Sequence, residues 1–116
     1  MRVGIKIGIL INLFKVDNKA FLPYSYLMGW TVRVHKKAAK RARKMPLPPQ
    51  VLFDALLRDL MLNGPIQPEW PNYSKLTHDR FHCHLKHSFV AVWEVVNNEV
   101  RILEVTYVGS REDAPY

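Results

Sequence analysis

The last third of the chain constrains the fold most. FHCHLK (81–86), FVAVWEVV (89–96) and VRILEVTYV (100–108) are three runs rich in β-branched and aromatic residues. His87-Ser88 separates the first two, and Asn97-Asn98 between Val96 and Glu99 suits a tight primed turn, since asparagine tolerates positive φ. Connections this short cannot cross over a sheet, so the three runs must form an antiparallel meander.

Upstream, GWTVRVH reads as a strand with Trp30, Val32 and Val34 on one face. HKKAAKRARKM then switches to helix-forming residues, with Ala38, Ala42 and Met45 on one stripe. Pro46, Pro48 and Pro49 are expected to end that helix. QVLFDALLRDLMLNG is a second, more apolar helix with Leu52, Phe53, Leu56, Leu57, Leu60 and Met61 on its stripe, and Asp54, Arg58 and Asp59 expected to face water. Asn63-Gly64-Pro65 stops it. IQPEWPNYSKL follows as a proline-rich loop, ordered by Trp70 and Tyr73. The expected class is α+β, with two N-terminal helices packed on one face of a mainly antiparallel sheet of about four strands.

The first residues alternate apolar side chains at Val3, Ile5, Ile7 and Ile9, as a buried strand would. Lys6 and Lys15 cut the apolar run short of the ~20 residues that a membrane span requires. No small-residue cleavage site follows. A single cysteine, Cys83, excludes an internal disulfide framework and points to the reducing cytoplasm.

The net charge of +7 is concentrated. Arg33, Lys36, Lys37, Lys40, Arg41, Arg43 and Lys44 lie within twelve residues that hold no acid, and elsewhere bases and acids balance. Such a run is either a solvated helix face or the footprint of a polyanion binder.

FHCHLKHSF packs three histidines and the cysteine together. Side chains alternate across a strand, so Phe81, Cys83 and Leu85 face the helices while His82, His84 and Lys86 stand on the open face. Two histidines about 6.5–7 Å apart along a strand could hold a metal. However, no third ligand, CxxC or HExxH accompanies them, and no metal or cofactor is expected. What remains is either a pair of solvated strand residues or a face that binds and moves protons.

The phrases NGPIQPEWPNYSKL, FHCHL, FVAVWEV and EVTYVGSREDAPY resemble the RelE/ParE superfamily of type II toxins, in particular a RelE-like branch of cytotoxic translational repressors. The resemblance runs from Met28 to Tyr116. It implies a toxin domain over residues 28–116, with 1–27 an N-terminal extension and Met28 the natural start. It also implies a ribosome-dependent mRNA endoribonuclease, metal-independent, with a cognate antitoxin as partner and no membrane. ParE-like members share the fold and inhibit DNA gyrase, and a non-catalytic RNA-binding remnant of the fold is a third reading.

By the resemblance, Arg111 matches the arginine after the last strand and Tyr116 the terminal tyrosine, while His82 and His84 occupy a strand where many members place arginines. The expected catalytic set is therefore His82, His84, Arg111 and Tyr116. Lys36, Lys37, Lys40, Arg41, Arg43, Lys44 and Lys86 are expected to hold RNA. The family's usual arginine at the start of the next strand is Val90 here, which removes a phosphate clamp.

Overall fold

The computed structural model describes residues 29–116, so the extension falls outside it. Strand β1 (Thr31–Val34) leads into helix α1 (Lys36–Lys44) and helix α2 (Leu47–Asn63). Strands β2 (Ser74–Lys75), β3 (Arg80–His84), β4 (Phe89–Asn97) and β5 (Ile102–Ser110) follow, ending in a 3₁₀ turn, Arg111–Asp113. They form one sheet in the order β1-β5-β4-β3-β2. Only β1 runs parallel to its neighbour, β5, and the other three pairings are antiparallel. The fifth strand is β2, two residues inside what reads as a proline-rich loop.

Both helices cover the same face. Ala38, Ala39 and Ala42 from α1 and Phe53, Leu56, Leu57 and Leu60 from α2 bury against Val32, Val34, Phe81, Cys83, Ala91, Trp93, Leu103 and Val105. Burying each large side chain here is worth roughly 1.5–3 kcal/mol. The alanine stripe lets α1 sit close to β5. Cys83 lies in this core, as alternation predicts, and burial pushes its thiol up to about 12. It stays protonated and unreactive near neutral pH.

Pro48 and Pro49 do not simply end α1, as expected; they fall in the first turn of α2. Backbone N–H groups there have no helical partner, so proline costs nothing. Gln50 joins the helices, its side-chain amide donating to the carbonyls of Arg43 and Met45 at 3.1 and 3.0 Å. Asp54 does not face water: it is 4% exposed and 2.9 Å from Arg58 one turn on. Asp59 accepts from the Trp70 indole at 2.9 Å, which ties the proline-rich loop to α2. Tyr73, Phe81 and Trp93 stack at 6.2–6.3 Å between centroids and pin the loop's far end. The β4–β5 connection is longer than a two-residue turn: Asn97 Oδ1 accepts from the N–H of Glu99 and of Val100, and Arg101 takes φ 56°.

Gly64 ends α2 at φ 87°, ψ −163°, a region that essentially only glycine enters. A Cβ there would lie 2.6 Å from the Trp30 indole nitrogen. Gly64→Ala is expected to cost roughly 2–3 kcal/mol in urea denaturation; a loss below about 0.5 kcal/mol would show that this junction tolerates a side chain.

Candidate functional site

The face away from the helices is not bare. Val90, Val92 and Tyr107 form a small buried cluster there, with Leu76 and Ala114 packed on it. Tyr107 reaches this face because β5 carries an extra residue: Val92 pairs Tyr107 while Trp93 pairs Val105, so Thr106 bulges. The bulge reverses the alternation. Val105 and Val108 turn to the helices while Tyr107, between them, turns away.

The C-terminal tail folds back onto this cluster. The Arg111 N–H donates to Ser88 O in the β3–β4 turn at 2.7 Å. Ser110 Oγ then accepts from the Glu112 N–H at 3.2 Å and starts the 3₁₀ turn. Ala114 seats on the cluster, and the tail ends with the Tyr116 ring over His82 at 4.6 Å between centroids. His84 lies edge-on to His82, at 5.6 Å between centroids. The β2–β3 register sets Ser74 opposite His82, and Ser74 Oγ contacts His82 Nδ1 at 3.0 Å.

His82 and His84 therefore occupy the face opposite the core, as predicted, but His82 does not stand open to solvent. It is 8% exposed, covered by Tyr116 and flanked by Ser74. His84 is half-buried and Tyr116 is 53% exposed. Burial, and then the neighbouring His84, hold the His82 imidazole below its ordinary value, against the opposing effect of Ser74. His82 is thus held in its neutral form near pH 7. Burial raises the Tyr116 phenol, partly offset by the Arg111 cation, so it keeps its proton. Both shifts favour the neutral forms, an unprotonated imidazole under a protonated phenol. Among the described residues no group of three His, Cys, Asp or Glu could hold a metal ion.

Lys86 does not stand in line with the histidines, because β3 ends at His84. It is exposed in the turn whose Ser88 carbonyl holds Arg111. All six basic residues of α1 are exposed, and two of them lie by Tyr107 and the end of β5. Arg41 lies over the Tyr107 ring at 5.1 Å, and Lys44 lines the adjoining depression. Arg33 is drawn off by Glu104 at 3.8 Å.

No protein-family model matches the sequence, and no curated protein matches it. Two solved structures do. A free mutant of the Escherichia coli toxin RelE superposes with a TM-score of 0.59 at 19% identity, over 75% of this chain and 88% of that one. The archaeal RelE–RelB complex from Pyrococcus horikoshii superposes with a TM-score of 0.57 at 21% identity, over 75% and 100%. The chain has the RelE fold. At this identity the likeness carries fold and not chemistry.

On this RelE-like scaffold, sequence reasoning missed Ser74 and Tyr107. Ser74 carried no signal, being one polar residue in a loop. Tyr107 is hidden by the bulge, since strict alternation puts it with Leu103 and Val105. No helix among the described residues is long and apolar enough to cross a membrane.

The depressed His82 gives a pH dependence whose sign is fixed. Below about pH 6.5 the unfolded chain binds a proton that the folded chain resists, so stability falls as pH drops from there toward His82's lowered value. The stability of His82→Phe relative to wild type should therefore rise as pH falls through that window, followed by urea denaturation at each pH. A pH-independent difference would mean that His82 protonates in the folded state as freely as in the unfolded one.

Proposed function

We propose that the protein is a RelE-like toxin: a metal-independent endoribonuclease that cuts mRNA on the ribosome and is held inactive by an antitoxin. The observation that carries this reading is the seating of the Tyr116 phenol on His82, which is edge-on to His84, with Arg111 at the start of the same short tail. The fold supports it, since one neighbour is a toxin and the other a RelE–RelB complex.

The chemistry follows from the groups available. The 2′-hydroxyl attacks the adjoining phosphorus while the bond to the 5′-oxygen breaks. His84, the more accessible imidazole, takes the 2′ proton. Arg111 offers a planar fork to the phosphate oxygens as charge builds. Tyr116 returns a proton to the leaving 5′-oxygen. His82, buried beneath the phenol, positions it. The family's missing arginine is met in part by register: His84 pairs directly with Val90, so an imidazole stands beside the position where that cation would be. Lys36, Lys37, Lys40, Arg43 and Lys86 hold nucleic acid by charge, without reading sequence.

The test is cleavage of mRNA on programmed ribosomes, with the new ends mapped chemically. The expected products carry a 2′,3′-cyclic phosphate and a 5′-hydroxyl. His84→Ala and Tyr116→Phe should each slow cleavage by roughly 10²–10⁴, and Arg111→Ala by about 10²–10³, with melting temperatures unchanged. Intact mRNA together with blocked DNA supercoiling by gyrase would replace this reading with the ParE-like one. Binding of RNA without cleavage would leave a non-catalytic binder.

A further inference from the structure

Between α1 and the end of β5 lies a depression of about 200 Å³ that the cleavage chemistry does not use. Its walls include Arg41, Lys44, Phe89, Tyr107, Gly109 and Asp113. Arg41 and Lys44 are three residues apart on α1 and so share a helix face. Neither makes an ion pair with a carboxylate among the described residues. Arg41 is held instead by the Tyr107 ring, 5.1 Å below its guanidinium. The ring is itself fixed, its hydroxyl donating to Ser110 O at 2.6 Å. Lying on a π face orients a guanidinium without consuming its N–H donors.

The absence of a side chain at Gly109 keeps this arrangement possible. A Cβ there would lie 2.9 Å from the Tyr107 hydroxyl and 3.2 Å from Arg41 Cδ. The sheet register relates the depression to the candidate active site: Tyr107 pairs Val92, and Val92 pairs His82. Tyr107 thus lies two strand spacings from His82 on the same face, roughly 10 Å. Asp113 is the only acid in the lining, so cations outnumber it.

We propose that this depression is a second RNA subsite, in which Arg41 and Lys44 grip a backbone phosphate flanking the scissile one. Arg41's outer plane offers a stacking surface to the neighbouring base. An aromatic-backed arginine, over a ring two strands from His82, fits a single RNA strand better than an acidic peptide, which has no base to stack on it. Asp113 tempers the grip, so that product can leave.

The subsite rests on the reading that this face handles RNA, but binding can be measured apart from cleavage. The probe is a short, fluorescein-labelled, single-stranded RNA with every 2′-hydroxyl methylated, which cannot be cut by attack of that oxygen. Anisotropy titrations of the full chain over a range of salt give affinity and salt slope. Arg41→Ala and Lys44→Ala should each weaken binding roughly tenfold and reduce the slope of log K against log salt by about 0.7. Arg41→Lys, which keeps the charge but not the flat stack, should keep the slope and lose affinity. Asp113→Asn should tighten binding. Arg101→Asn, at the opposite end of β5, removes a charge as a control and should do less. Equal small losses for Arg41, Lys44 and Arg101 would overturn the subsite, as would an unbound probe. So would loss of poly-glutamate binding with RNA binding intact, which would assign the surface to an acidic protein. Each variant is checked for an unchanged melting temperature.

Discussion

A sheet with helices on only one face must still cover whatever apolar surface it presents on the other. Here that surface is small: Val90, Val92 and Tyr107, at most 5% exposed. The C-terminal tail covers it. Ala114 seats on the cluster, the Arg111 backbone is clipped to the β3–β4 turn, and Tyr116 is carried onto His82. Without that apolar patch the last residues would have no reason to lie on the sheet, and the phenol would not meet the imidazoles. The candidate site is thus a by-product of hydrophobic coverage, assembled from both ends of the meander.

The same coverage sets the electrostatics. Seating Tyr116 removes His82 from water, which disfavours its charged form, while the phenol gains a reason to stay neutral. Two neutral groups, an unprotonated imidazole and a protonated phenol, are left in contact, with Arg111 on the same tail and Arg41 over Tyr107 farther along the sheet. Closing one side of β5 with α1 brings the basic run to Tyr107, and its alanine stripe is what allows the approach. Charge, packing and tail position are therefore one problem, not three.

Much of this was legible in the residues. The short links of the meander forced antiparallel pairing, the alanine and leucine stripes put both helices on one face, and alternation put Cys83 in the core with His82 and His84 opposite. The parts that failed to show share a cause: they depend on register or on contacts between segments distant in sequence. The bulge at Thr106 moves Tyr107 across the sheet with no mark in the local pattern. Burial of His82 requires Ser74 and Tyr116, from 8 residues before and 34 residues after it in the chain. The first turn of α2 looked like a helix stop because prolines at a start and at an end are the same residues in different registers.

The candidate site depends on the docking of Tyr116 over His82, and an NMR titration of the His82 ring tests that docking most directly. In the full chain His82 should titrate below its ordinary value and show ring-to-ring Overhauser contacts with Tyr116. In a chain ending at Pro115 the contacts vanish and the titration should move up toward pH 6.5, because the ring regains water. The same titration in both chains, with no contact to Tyr116, would contradict the account: the tail would not cover the sheet, and the site would not be assembled by it.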